Sequence, residues 1–204
     1  MCIICSSAAG IRQPAYGTIR TMFENNPHGA GYMYARNGKV HIRKGFMDVD
    51  SFLDAIRKEH FTAKDPVVYH FRISTQAGVQ PEMTHPFPLS NRRDRMKVLK
   101  SNCRCGIAHN GTIQLTSDPS NKEYSDTALF VTQYLSEIIR QPSDLRNPAT
   151  LDFIHHLAGS KFAIMDASGY IATIGKFINE RGLLFSNDSY HEYRYRWQLP
   201  AKRS

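Results

Sequence analysis

The sequence contains no uninterrupted apolar run of the about 20 residues that a bilayer-spanning helix needs. Its first residues, MCIICSSAAGIRQ, lack the basic flank and the length of an export signal. Cysteine is scarce, with four in 204 residues, and disulfide frameworks belong to small secreted domains. The thiols are therefore expected to be reduced, the chain cytoplasmic, and membrane contact absent. Internal repeats and low-complexity tracts are missing too, which excludes solenoid, collagen-like and disordered classes. What remains, at 41% hydrophobic and 22% charged, is the composition of an ordinary globular protein, and the length suits a single domain over 1–204.

Acidic residues are also in short supply: 18 against 26 Lys and Arg leave a net charge of +8. The excess is uneven. Arg92, Arg93, Arg95, Lys97 and Lys100 crowd NRRDRMKVLK, and Arg194, Arg196, Lys202 and Arg203 fall in a basic tail over about 191–204. Tyr193, Tyr195 and Trp197 are interleaved with the second group, a pattern that suits stacking on single-stranded nucleic acid. A solvated loop and tail, or an acidic protein partner, fits the same charge.

Residues 2–7 read as a buried strand, a short apolar run without alternation. AYGTIRTMFENN places Ile19, Met22 and Phe23 at helical spacing before Asn-Asn-Pro. GAGYMYAR and KVHIRKGF flank Asn37-Gly38, the strongest short hairpin signal. DVDSFLDAIRKEH is an amphipathic helix, and Pro66 to Phe71 a buried strand. An irregular excursion over 76–104 precedes a short strand at GIAHN. SDTALFVTQYLSEIIRQ is the best helix, capped by Ser125 or Asp126, and PATLDFIHHLAG is a shorter one closed by Gly159. KFAIMDASGYIATIG and GLLFSN supply three more strands. Buried strands with one-faced helices imply sheets packed together with helices outside, an α+β class, whose core should include Ile3, Ile4, Val67, Val68, Ile107, Phe162, Ile164 and Leu184.

Polar stretches interrupt this pattern at NPHGAGY, YHFRISTQAG with THPF after it, IAHNGTI and YSDTALF. Behind Cys2, and in this order, they resemble the glutaminase domain of the class II glutamine amidotransferases, which are N-terminal nucleophile hydrolases and include freestanding forms familiar from bacteriophage. The resemblance runs from Cys2 to GSKFAIMD and LLFSNDSY. It implies a four-layer αββα sandwich of mostly antiparallel sheets, L-glutamine as substrate, no cofactor and no metal.

The chemistry of amide hydrolysis calls for the same residues. Methionine aminopeptidase removes an initiator Met before a residue as small as cysteine, so the mature chain is expected to begin at Cys2. Its thiol attacks the amide carbon, and its α-amine, with an ordinary pKa near ~8, moves the proton. The Asn110 side-chain amide and the Gly111 N–H can hold the oxyanion, at about 3–4 kcal/mol each. Arg72 suits the glutamine carboxylate and Asp126 its ammonium. In the family those roles belong to the Arg of Arg-x-x-Thr, matched by Arg72 to Thr75, and to the Asp of Ser-Asp-Thr, matched by Ser125 to Thr127. His85 and His70 match family positions as supports of the pocket, and Asn26 with Gly29 to Gly31 match the glycine-rich stretch beside the nucleophile. The sequence departs from the family where QAG replaces the usual His-Gly after the Thr.

Three alternatives stay open at this stage. A different amide could be the substrate; the chain could be an inactive binding scaffold; or Cys2, Cys5, Cys103 and Cys105 could form a four-cysteine zinc module on nucleic acid. No ammonia-consuming domain is found within the 204 residues, so a separate ammonia-acceptor enzyme is expected. It, or a nucleotide or nucleic-acid substrate, is expected to dock on Arg92–Lys100 and Arg194–Arg203.

Overall fold

A computed structural model describes residues 2–73, 80–117 and 123–192. The buried run after Cys2 forms β1 (Ile3–Ser7), all of it out of solvent. Helix α1 (Tyr16–Asn25) follows, then β2 (Ala30–Arg36) and β3 (Lys39–Phe46), joined at Asn37-Gly38. Both turn residues have positive φ, 53° and 67°, the left-handed backbone that a tight hairpin requires. Asp48 caps α2 (Val49–Glu59) by accepting the Ser51 N–H, and β4 (Val67–Phe71) is again buried throughout.

The excursion expected to be irregular contains two strands, β5 (Phe87–Pro88) and β6 (Lys100–Cys103), with 3-10 turns at Pro81–Met83 and Arg93–Lys97. GIAHN belongs to a longer strand, β7 (Cys105–Asn110). The best helix of the sequence is broken: α3 (Asp126–Phe130) passes into a π-helical turn, Val131–Leu135, and then α4 (Ser136–Ile138). After α5 (Pro148–Ala158), closed by Gly159 at φ +62°, come four strands instead of three: β8 (Lys161–Asp166), β9 (Ile171–Ile174), β10 (Ile178–Glu180) and β11 (Leu183–Phe185).

The strands form two sheets, β10-β11-β1-β4-β2-β3-β6 and β5-β7-β8-β9, with every described pairing antiparallel. Period-two alternation divides the apolar residues into three clusters compatible with a sandwich. Ile3, Tyr69 and Phe71 pack with Ile19, Met22 and Phe52 of α1 and α2. Ile4, Met33 and Val68 meet Ala108, Ala163 and Met165 across the gap between the sheets. Ile107, Phe162 and Ile164 pack with Phe130, Leu135 and Ile154 of the later helices. Of the eight expected core residues, seven are buried. Leu184 is only half-buried, because Phe185, paired with Cys5, takes the inward register and a one-residue shift reverses the faces.

The Pro81–Lys97 segment is stapled to β3 by Lys44. Its buried Nζ donates to the Glu82 and Met96 carbonyls at 2.8 and 2.6 Å and lies 3.9 Å from the Phe87 ring centre. Burial holds its pKa well below the usual lysine value. On β2, Gly31 admits the same segment: a Cβ there would stand 2.2 Å from the His85 carbonyl oxygen and 2.8 Å from that of Arg43. At Gly106 an added Cβ would instead meet Met33 Sδ at 2.6 Å, the end of a flexible side chain. Gly31→Ala should therefore destabilise by about 3 kcal/mol, and Gly106→Ala by about 1. Urea midpoints that rank the two the other way would show that the His85 segment is not fixed against β2.

Candidate active site

Antiparallel pairing of β1 with β4 sets Ile3 opposite Phe71. Cys2 and Arg72, the next residue on each strand, therefore stand side by side at one end of the larger sheet. The Cys2 thiol donates to the Ile73 carbonyl at 3.5 Å, and Asn187 Nδ2 donates to the Cys2 carbonyl at 2.7 Å. Asn187 Oδ1 accepts from the Ser189 N–H and hydroxyl, and Ser189 Oγ accepts from Asn26, the residue that ends α1. Burial pushes the Cys2 thiol up from its ordinary pKa, with the Arg72 charge pulling the other way. At neutral pH the group is thus a thiol and needs a base before it can attack.

Arg72 is fixed through its backbone. Its N–H donates to the Gly29 carbonyl at 2.8 Å, and its carbonyl accepts from the His28 N–H at 2.9 Å. Gly29 has φ +108°, and a Cβ there would stand 2.7 Å from Thr84 Cγ2, so the glycine-rich stretch is a positioning feature for Arg72. Burial lowers the Arg72 pKa while the fields of Cys2 and Asp126 raise it, which places all three in one electrostatic neighbourhood. Its Nη1 is buried with no hydrogen-bond partner among the described residues.

Asn110 ends β7 on the facing sheet. Its side-chain amide lies 2.8 Å from Ser186 Oγ, which also accepts the Ile4 N–H at 2.9 Å. With Nδ2 toward Ser186, Asn110 Oδ1 is buried and unpartnered. Turning the amide by 180° lets the Ser186 hydroxyl donate to Oδ1 and aims both N–H bonds of Nδ2 the other way. That orientation gives Oδ1 a donor and leaves the Nδ2 N–H groups free. Gly111 follows at φ +143°, and a Cβ on it would stand 2.6 Å from Ser160 Cβ, so only glycine fits.

Ser125 is the N-cap of α3, accepting the Ala128 N–H, and Asp126 is the first helical residue, where a carboxylate complements the helix dipole. Asp126 Oδ2 accepts the Ile113 N–H and Oδ1 the Thr127 N–H, both at 2.7 Å. The Asp126 carboxylate therefore also anchors the loop that leaves Gly111.

Behind these groups lie three buried histidines. His70 Nε2 is 2.9 Å from the His109 carbonyl, which can only accept, so His70 is assigned its proton on Nε2. His85 Nδ1, 2.9 Å from the same nitrogen, is then an acceptor. Ser160 Oγ donates to the Ala158 carbonyl and hence accepts from His109 Nε2 at 2.8 Å, while Thr127 Oγ1 stands 2.7 Å from His109 Nδ1. The network ties the Asn110 strand to the start of α3 and to the residue beneath Gly111. Burial lowers the pKa of His70 to about 3 and of His109 to about 4, and puts that of His85 well below its ordinary value.

Thus Cys2, Arg72, Asn110, Gly111 and Asp126 converge. His85 hydrogen-bonds to His70 behind them, as a support. Thr75 and Met1 lie outside the described residues, as does the tail from Arg194 to Arg203. The sequence reading missed Ser186 and Asn187 as functional residues; the only signal was the Ser-Asn of LLFSNDSY. The cysteines do not form a cluster: Cys5 belongs to the core under α1 and α2, and Cys105 to that under the later helices. Among the described residues no group of His, Cys, Asp or Glu could hold a metal ion. Much of the basic stretch is internally paired, Arg92 with Asp94 and Lys97 with Glu123 at 2.6 Å each, and Arg95 donates to the Asn102 carbonyl. No helix among the described residues is long and apolar enough to cross a membrane.

The histidines set a pH dependence. Unfolded, each titrates near ~6.5, whereas folded His70 and His109 stay neutral to about pH 4 or below, and His85 is shifted in the same direction. Between these values the unfolded chain binds more protons, so stability falls as pH falls. By pH 5 the loss should be about 2 kcal/mol per histidine, where carboxylates contribute little. Urea unfolding at pH 7 and pH 5 measures it, and equal stabilities would overturn the neutral assignments.

In comparisons with known proteins, no family model matches this chain and no curated protein gives a significant match.

Proposed function

We propose that the protein is a glutaminase domain of the class II glutamine amidotransferase type, an N-terminal nucleophile hydrolase built as a four-layer αββα sandwich. The reading is carried by one observation: a half-buried thiol stands beside a guanidinium whose Nη1 has no partner among the described residues, and across from an amide with unspent hydrogen-bonding capacity. Removal of Met1 frees the Cys2 α-amine. In the proposed reaction this amine takes the thiol proton as sulfur bonds to the side-chain amide carbon of glutamine, and the oxyanion is held by Asn110 Nδ2 and the Gly111 N–H. The ammonium so formed returns its proton to the leaving nitrogen, the C–N bond breaks, and ammonia departs from a thioester. Water then attacks the thioester with the same amine as base, giving glutamate and restoring the thiol. Arg72 pairs with the substrate carboxylate and Asp126 with its ammonium, a head-group pair that favours glutamine over other amides. The ammonia is proposed to go to an acceptor enzyme.

Cys2→Ala should abolish turnover of glutamine and labelling by a diazo-ketone glutamine analogue. An uncleaved N-terminal extension should do the same, because it leaves the thiol and removes the free amine. Normal hydrolysis by the extended protein would exclude the amine as base. Arg72→Ala should weaken glutamine binding by about 2–5 kcal/mol, the cost of breaking a desolvated charge pair, whereas Asn110→Ala should mainly lower kcat. Unchanged glutamine affinity in the Arg72 variant, read by calorimetry, would remove the clamp from the mechanism.

A further inference from the structure

A cavity of about 540 Å³ opens beside α1, α2 and the loop after β1. Its walls include Tyr16, Ile19, Ile56, Phe61 and Tyr69, with Arg12 also lining it. The size falls within the range of small-molecule sites, and the lining is mainly apolar and aromatic. The polar groups on its floor are satisfied among themselves. Tyr69 donates its hydroxyl to Gln13 Oε1 at 3.1 Å, and Gln13 Nε2 donates to the Thr62 and Asp65 carbonyls at 3.0 and 2.8 Å. This lattice holds the loop against the end of α2 and keeps the cavity open without asking a ligand for hydrogen bonds.

The Asp65 carboxylate, which accepts the Thr62 N–H and hydroxyl beside the cavity, is paired with Arg36 at 3.0 Å. No acidic side chain lines it, and the Arg12 guanidinium is exposed, with no hydrogen bond or ion pair among the described residues. Ala15 and Tyr16, where α1 begins, also line it, and that helix has neither a side-chain cap nor an acidic residue in its first turn. Both features favour an anion. The loop that carries Arg12 follows Ser7, at the far end of β1 from Cys2 and about 15 Å away along the strand. It is therefore not part of the active site.

We propose that this cavity binds a small aromatic anion, a planar ring seated among Tyr16, Phe61 and Tyr69 whose carboxylate or phosphate meets Arg12. The inference does not rest on the glutaminase reading, and its test needs no turnover. Phenylacetate, phenyl phosphate and neutral phenylacetamide are titrated into the isotope-labelled full chain and followed by amide chemical shifts. One or both anions should shift residues of the α1 start and of Phe61 to Ala63, and the tighter of the two identifies carboxylate or phosphate as the natural group. Arg12→Gln should weaken anion binding by about tenfold, as loss of a charge pair implies, and leave phenylacetamide unaffected. Ala63→Trp, which introduces bulk at the cavity wall, should weaken all three. Thermal melting checks that both variants fold. Binding of neither anion, shifts at other residues, or an Arg12→Gln variant that binds like the parent would overturn the proposal.

Discussion

A single buried hydroxyl, that of Ser186, joins the two sheets where the candidate chemistry is concentrated. It accepts the Ile4 N–H from β1, the strand that follows Cys2, and contacts the Asn110 amide on the facing sheet, while the Ser186 N–H donates to the Ile4 carbonyl. Much of the rest of the gap between the sheets is filled by apolar side chains such as Met33, Val68 and Met165, which fix a spacing but no lateral register. Ser186 supplies that register together with the bond from His70 on β4 to the His109 carbonyl on β7. In the proposed reaction a thiol on one sheet and an amide donor on the other can serve one substrate only if the strands bearing them cannot slide.

Low polarity is the second constraint. Around the site the structure keeps titratable groups neutral by burial: the Cys2 thiol is raised, and the three histidines are lowered. Neutral histidines can donate and accept at once, so they link the His109 carbonyl, Thr127 and Ser160 into one frame without putting unpaired charge in the interior. Arg72 is left as the strong charge beside the thiol, with the opposite charge of Asp126 acting on it. In such surroundings a guanidinium and a carboxylate recognise the two ends of an amino acid far more strongly than they would in water.

The local parts of this arrangement were legible in the sequence and the long-range parts were not. Asn37-Gly38 and the apolar spacing of α1 and α2 announced their elements, because each signal is complete within a few residues. Cys2, Arg72, Asn110, Gly111 and Asp126 could be picked out because the chemistry asks for those groups and they sit in recognisable stretches. Ser186 and Asn187 were passed over, since a Ser-Asn pair is ordinary loop chemistry until Ile4 and Cys2 are brought against it. Leu184 was expected in the core and is only half-buried, because period-two alternation fixes which residues share a face but not which face is packed more tightly. The π-helical turn at Val131–Leu135 was hidden for a similar reason, as its sequence is a sound helical one and the change of period has no local marker.

The arrangement also bears on which group can serve as the base. Three imidazoles lie near the site, yet each has a structural partner: His70 holds the His109 carbonyl, His109 bridges Thr127 and Ser160, and His85 faces His70. A base must be able to gain a proton near neutral pH, and burial puts all three well below that range. Asp126 is spent on the Ile113 and Thr127 N–H groups. Among the described residues the hydrogen-bond partner of the Cys2 sulfur is the Ile73 carbonyl, which cannot take a proton. In the proposed reaction the remaining candidate is the amine on the same residue as the thiol. The bond from Asn187 to the Cys2 carbonyl then takes on a purpose: it fixes the Cys2 backbone, and with it the direction of both the amine and the sulfur.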